Sequence, residues 1–439
     1  EIKAHGKGLL TLKIGRDIGR IHAGGQEGAY LHVCDLVGGN GIRHNAVDVP
    51  HPLLLGLALV GDELGLEIPL HGKRTVLPQQ TVTSKQLLPI YDNLSRALQQ
   101  DTADAAYKKE YKLSVVPGAT SGWGLSGTYF ADLVKERTNG RINIKVYHGA
   151  QLMAGKQTSE LLLVRNGAID FALASTINWS PQVKQLNLTA LPFFVANNPD
   201  RYKAMDAITS GKSGKMLIAA VEKTKVKFIG WGENGFRELT TSKGPIHKPA
   251  DMNGMKLRVC GTPIFIDIFS ALGTNPQAIN WSEAVTGFQQ GIVDGQENPT
   301  NGINIPLQVW TWHKYHTDWH YMIDPLLLTA NQKVWKEFSA EDQKILMECA
   351  KDMEKYSKAL SRLGFDDGSS LAYLQSIGKA PAVTDPYKTL AEKGMNVVKF
   401  TPEMIKEFYD ATKSVRDKWT KEIGEDLVKA AEADMKAAQ

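Results

Sequence analysis

From Tyr111 onward the chain alternates short strand-like runs with amphipathic stretches, and this rhythm restricts the fold more than any other feature. Tyr111 to Val116 reads as a strand. Leu125 to Glu136 reads as a helix with Tyr129, Phe130, Leu133 and Val134 on one face. Arg141 to Tyr147 is a second strand, with Ile142, Ile144 and Val146 alternating. Ser159 to Asn166 is a helix and Ile169 to Ala174 a third strand. Such an order packs helices on the faces of a mainly parallel sheet, and ligand crevices lie beyond the strand ends of such sheets. The fold class is α/β.

Composition changes sharply near Tyr111. Residues 1–110 contain no Trp, Phe or Met, yet hold six of the eleven histidines and fourteen of the forty glycines. A core without large side chains is marginal. This segment is left unassigned, either as a small β-rich unit or as a non-native or disordered appendage. Gly8 to Ile14, Tyr30 to Val37 and Leu66 to Leu70 read as strands, Gly38 to Gly41 as a turn, and Ile90 to Glu110 as a polar helix or linker. His5, His22, His32, His44, His51 and His71 match no metal-ligand spacing.

The 439 residues suffice for two or three domains. A formal charge of +4 without a dense basic run argues against nucleic-acid binding. The longest apolar stretch, Leu53 to Val60, is too short to span a bilayer. Cys34, Cys260 and Cys349 lack Cys-x-x-Cys spacing, which leaves room for one disulfide but not for a zinc site. No secretory signal is visible at Glu1.

Chemistry concentrates between Gly254 and Pro299. Met255-Lys-Leu-Arg-Val alternates as a short strand anchored by Leu257 and Val259, and it fixes Arg258 beside a cleft. A guanidinium is a rigid fork of donors that matches a carboxylate in a way lysine does not. Downstream runs Asn280-Trp281-Ser-Glu283, then Asp294-Gly-Gln-Glu297-Asn298-Pro299.

Together with Asn234-Gly-Phe-Arg237, these stretches resemble the solute receptors of tripartite ATP-independent periplasmic (TRAP) transporters, the DctP type, from about Tyr111 to the C-terminus. The resemblance implies a two-lobe, periplasmic-binding-protein-like (type II) fold with a long helix bridging the lobes. Lobe I would comprise 111–236 with about 324–360, and lobe II 237–323 with part of 361–439. It further implies that Arg258 pairs with a ligand carboxylate, that Arg237 is a second cleft arginine, that Asn298 completes the contact, and that Trp281 lies against the ligand body. Gly167-Ala-Ile-Asp-Phe-Ala-Leu-Ala-Ser175-Thr176 resembles the strand that ends at the ligand; an acidic residue stands at the Ser175 position in sialic-acid receptors of the family. Trp123 and Trp179 are candidate pocket walls. The implied protein is a periplasmic receptor and not an enzyme. It is a monomer without cofactor or metal, it takes an aromatic or hydrophobic monocarboxylate or a C4-dicarboxylate, and it delivers the acid to membrane permease subunits without inserting in the membrane itself.

Competing patterns are weaker. Gly122-Trp-Gly124-Leu-Ser-Gly127 is a formal G-x-G-x-x-G, the anchor for an alternative reading as an NAD-dependent oxidoreductase. The second strand ends Val146-Tyr147-His148-Gly149, without the carboxylate a ribose needs, and Trp123 is bulky where a pyrophosphate must approach. The receptor reading uses the same loop to bring backbone N–H groups and the hydroxyls of Thr120 and Ser121 to a cleft. Paired carboxylates at Glu283, Asp294 and Glu297 fit catalysis poorly beside an anion-binding arginine; Asp294 fits a turn instead. His313, His316 and His320 suggest zinc, but His316 and His320 would share a face only on a helix, whereas Thr317 to Ile323 resembles the family's return strand. Ser339-Ala-Glu-Asp342 reads as the cap of a long helix through Leu360, followed by helices at Glu403 to Thr412 and from Ser414 onward.

Overall fold

The structure, a computed structural model, describes the backbone of five strands between residues 2 and 48 and all of residues 107–439. The chain divides into two compact units, Glu1–Asp104 and Ala105–Gln439. In the first, β1 (Ile2–His5), β2 (Leu9–Ile14), β3 (Asp17–Ala23), β4 (Tyr30–Leu36) and β5 (Ile42–Asp48) form an antiparallel meander in chain order. Two strands read from the sequence coincide with β2 and β4. The strand at Leu66 to Leu70, the turn at Gly38 to Gly41, residues 90–106 and the side chains of the six histidines lie outside the described residues.

In the second unit, β6 (Tyr111–Ser114) pairs in parallel with β7 (Ile144–Tyr147) and β8 (Phe171–Ser175). Helix α1 (Gly122–Arg137) lies across them, and α2 (Glu160–Asn166) leads into β8. Ser121 caps α1, its Oγ accepting from the Gly124 N–H at 2.9 Å. The glycines are explained by packing. A Cβ on Gly124 would sit 2.3 Å from the Gly118 carbonyl oxygen, and one on Gly127 would sit 2.9 Å from Val115. They bring the helix close to β6 and the loop that follows it, and they are helix residues rather than a phosphate loop. The hydroxyl of Ser121 is likewise spent on the cap.

The sequence reading detects only Phe228 to Trp231 of what is a sixteen-residue strand, β9 (Val226–Thr241). Three glycines and the charges Glu233, Arg237 and Glu238 interrupt its apolar alternation. Its first part pairs with β14 (Ile323–Asn331), itself antiparallel to β8. From Arg237 onward it pairs with β12 (Gly295–Pro299), which lies beside β10 (Lys256–Val259) and then β11 (Asn275–Ala278). β13 (Tyr315–Asp318) pairs with the same end of β9 and with β15 (Asn396–Lys399). One strand thus runs through both parts of a ten-stranded sheet. At the changeover the register shifts: Asp324 faces Gly235, Pro325 faces Glu233, and Asn234 is passed over.

The expected strand from Thr317 to Ile323 is broken between β13 and β14, where His320 turns at φ 50°. Ser339 caps the long helix α9 (Ala340–Arg362), accepting from the Asp342 N–H at 3.0 Å. This helix lies along β9 and is fastened where the strand changes partner. Ser357 Oγ accepts from the Glu233 N–H and donates to the Glu233 carbonyl, both at 2.9 Å. Arg362 bridges the Glu233 carboxylate and Asp206, at 2.6 and 2.7 Å. The helix expected from Ser414 to the end breaks at Gly424, φ 107°. Among the described residues, no helix is long and apolar enough to cross a membrane.

Glu160, at the start of α2, is fully buried and accepts from Ser114 Oγ at 2.6 Å and Trp179 Nε1 at 3.1 Å. Burial pushes its carboxyl up to about 7, against the pull of those two donors. An acid raised on folding binds its proton more tightly in the folded state, so stability falls as pH rises from about 4.5 to about 7. Thermal melts of Glu160→Gln should be flatter than wild type across that window. An unchanged slope would remove Glu160 as its source.

Candidate functional site

At the junction where β9 leaves β14 for β12, side chains from both parts of the sheet line a small cavity of about 30 Å³. Val116, Pro117 and Trp123 close it from the corner between β6 and α1. Ser175 and Asn178 line it from the end of β8, and Gln157 from the short helical turn before α2. Asn234 and Arg237 come from β9, Arg258 and Cys260 from β10 and its end, Asn298 from β12, and Asp324 from β14; Trp281 and Ile303 complete the wall.

Arg258 lies mid-strand between β11 and β12, facing Gln277 and Gln296, so its backbone has no freedom. Its side chain is 1 % exposed. Nε donates to the Ile279 carbonyl at 3.0 Å, Nη1 reaches Cys260 Sγ at 3.9 Å, and the guanidinium lies 5.3 Å from the Trp281 ring centre. Nη2 has no partner among the described residues, and no carboxylate there forms an ion pair with this arginine. Burial accordingly lowers its pKa. A buried cation without a counter-ion costs several kcal/mol, so this corner of the cavity favours an anion.

Arg237 is in the opposite condition. Nε and Nη2 grip the Glu297 carboxylate (Nη2 at 2.7 Å), Nη2 also donates to the Glu297 carbonyl at 2.8 Å, and Nη1 donates to Asp324 at 3.2 Å. Tyr321 Oη adds a bond to Glu297 at 2.8 Å. Little of this arginine is left for a ligand. Arg237, the expected second cleft arginine, borders the cavity as part of a buried ion-pair network with Glu297 and Asp324.

The other expected residues divide. Trp123 is a wall, held by its indole N–H to the Leu173 carbonyl at 2.6 Å. Trp281 opens the helix α7 (Trp281–Gln289) and lies against Arg258. Ser175 lines the cavity and donates to Asp324 Oδ1 at 2.5 Å. Asn298 lines it too, with Nδ2 bound to Gln296 Oε1. Trp179 and Thr176 do not reach it. Trp179 is wholly buried in the core with its indole N–H on Glu160, and Thr176 Oγ1 bonds to Thr189 Oγ1 at 3.0 Å. Both follow Ser175 into a short helix that carries them behind the wall.

Sequence reasoning missed Asp324, Gln157, Asn178 and Cys260. A signal existed for Asp324: a lone carboxylate opening Ile323-Asp-Pro-Leu-Leu-Leu needs a buried partner. Gln157 gave none. It joins three elements, donating to Asn178 Oδ1 at 2.7 Å and accepting from the Trp281 N–H at 2.8 Å. Asp294 holds a backbone N–H, that of Lys256 on the adjacent β10, at 2.9 Å.

Residues 113–363 match bacterial extracellular solute-binding protein family 7, DctP. The chain belongs to this family. A solved TRAP periplasmic solute-binding protein from Ralstonia eutropha H16, with bound (S)-2-acetolactate, is 44 % identical, with a TM-score of 0.69 over 75 % of this chain and all of that one. A solute-binding protein of Roseobacter denitrificans is 31 % identical over 63 % of this chain and 82 % of its own length. The C4-dicarboxylate-binding periplasmic protein DctP of Vibrio cholerae is 26 % identical over 70 % of this chain and 85 % of its own. As a DctP-family protein the chain is a TRAP receptor for carboxylates, extracytoplasmic and non-enzymatic, which sets aside the oxidoreductase alternative together with its glycine motif.

Three histidines of this DctP-family protein have separate partners. His313 Nδ1 bonds to Thr240 at 2.8 Å and His316 Nε2 to Thr300 at 3.0 Å. His320 Nδ1 lies 2.8 Å from Glu238 and 2.7 Å from Asp318. Burial lowers the His320 pKa, but the two carboxylates outweigh it and hold it at about 10. It is an imidazolium clamp between β9 and the turn that follows β13.

Breaking the Arg237–Glu297 pair leaves the buried guanidinium only its longer contact to Asp324. Glu297→Gln should lose about 3–5 kcal/mol of stability in urea titrations. A loss under about 1 kcal/mol would show that Arg237 is free enough to serve a ligand.

Proposed function

We propose that the protein captures a compact hydroxy- or oxo-monocarboxylate, with Arg258 as the carboxylate partner, and closes around it for delivery to TRAP permease subunits. The carrying observation is the buried Nη2 of Arg258, which lacks any partner among the described residues. A carboxylate there forms charge-assisted bonds of about 1.5–3 kcal/mol each. With packing against Trp123 and Trp281, that is consistent with binding in the micromolar range, about 8 kcal/mol.

Two features support a small monoacid over the aromatic acids and C4-dicarboxylates that the sequence leaves open. The cavity is small, about 30 Å³, and so favours a compact ligand. Arg237 is engaged by Glu297 and Asp324, so a second carboxylate would meet no spare cation. Asn234 Oδ1 is buried without a partner among the described residues and suits a ligand hydroxyl. The acetolactate in the Ralstonia relative has one carboxylate, one hydroxyl and a small apolar body.

The lobes in this reading are 111–236 with about 324–360, and 237–323 with part of 361–439. β9 and the end of α9 connect them. Closure draws on contacts that only the closed form makes, such as Gln157 on the start of α7.

Arg258→Lys keeps the charge and loses the fork. Calorimetry should show affinity for 2-acetolactate falling at least about tenfold, while the melting temperature barely moves. Unchanged affinity would count against the role. In a thermal-shift panel of 2-acetolactate, lactate, pyruvate, succinate and phenylacetate, the small monoacids should shift the melt most; a larger shift from succinate would return Arg237 to the site.

A further inference from the structure

We propose that this receptor takes up one proton with its acid, on Asp324, and that Ser175 relays the change to the ligand. The inference rests on the reading above, in which an anion enters beside Arg258.

Charge in the cavity wall comes first. Arg237, Arg258 and Asp324 line the cavity, Glu297 lies behind Arg237 as its partner, and all four side chains are nearly or wholly buried. Two positive and two negative charges cancel. An arriving carboxylate leaves one negative charge in excess where water does not screen it, and such an excess is relieved by protonating the carboxylate held least firmly.

The two carboxylates are held unequally. Glu297 has the fork of Arg237 and the Tyr321 hydroxyl. Asp324 has one longer contact to Arg237, 3.2 Å, an amide bond from Asn234 Nδ2 at 2.9 Å, and the Ser175 hydroxyl at 2.5 Å. The charged or titratable groups about it are Arg237 from β9 and Glu297 from β12, with Arg258 on β10 and Cys260 just after that strand lining the same cavity. Burial pushes the Cys260 thiol up, so it adds no charge. Burial also lifts Asp324 above the ordinary carboxylate range before any ligand arrives, despite Arg237, Asn234 and Ser175.

Ser175 makes the proton useful. Its Oγ accepts from the Ile177 N–H at 3.1 Å, and its own hydrogen goes to Asp324 Oδ1. Once Oδ1 carries a proton, that O–H donates to Ser175 Oγ, and the serine hydrogen is released toward the cavity as a donor for a ligand oxygen. The proton comes from solvent and returns to it when the acid leaves. Linkage requires the converse: between the Asp324 pKa of the empty protein and that of the loaded one, affinity weakens up to about tenfold per unit rise in pH.

The test is calorimetry of the full chain with freshly prepared 2-acetolactate in buffers of different ionisation heat. About one proton should be taken up per acid bound, with the pH slope above. Asp324→Asn should bind with a proton count near zero and a flat pH profile. Difference infrared spectra of the unaltered protein should gain a protonated-carboxyl band on adding the acid, a readout that does not depend on the variant folding. Binding without proton uptake, or uptake that survives Asp324→Asn, overturns the proposal and leaves the receptor reading standing. Absence of binding at every pH overturns both.

Discussion

A buried guanidinium without a carboxylate partner is the constraint on which the rest of this site turns. Arg258 is fixed by its strand, by the Ile279 carbonyl and by the Trp281 face, and none of these neutralises it. Folding alone leaves this charge unpaid in electrostatic terms, and an incoming anion settles it. Stability sacrificed in the empty protein is thus recovered as binding free energy.

Arg237 shows why one such cation matters more than two. Only its pairing with Glu297 and Asp324 separates it from Arg258, since both arginines are buried beside the same cavity. Carboxylates from β12 and β14 convert one arginine into a cross-brace between the two parts of the sheet, and the other keeps its positive field. The brace lies at the point where β9 exchanges partners and Asn234 is passed over. The groups facing the cavity are therefore also those joining the two parts of the sheet, and the end of α9 is fastened to Glu233 nearby. A ligand bound there acts on the connection itself, without a chain of intermediaries.

Local patterns in the sequence located β6, α1, β7, α2, β8 and β10 to within a few residues, because their apolar periodicity is set by neighbours on one face. They failed along β9. A strand buried on both sides, containing glycines for close helix contact and charges for partners across the sheet, has no alternation to read. They failed also at His320, where a positive φ breaks a run that is strand-like in composition. Of the site, Arg258, Trp281, Trp123, Ser175 and Asn298 were legible as residues at strand ends or in family-like motifs. Trp179 and Thr176 were misplaced because the short helix after Ser175 turns Asn178 toward the cavity and those two away from it.

The order of strands and helices from Tyr111 onward, the family they belong to, and the arginine set in a short strand were determined by sequence, since each depends on neighbours within a few positions. Which arginine keeps an unpaired charge toward the cavity was decided only by tertiary structure. That outcome hangs on Asp324 and Glu297 arriving from strands far along the chain, and a charge's environment is a property of space that no local pattern encodes.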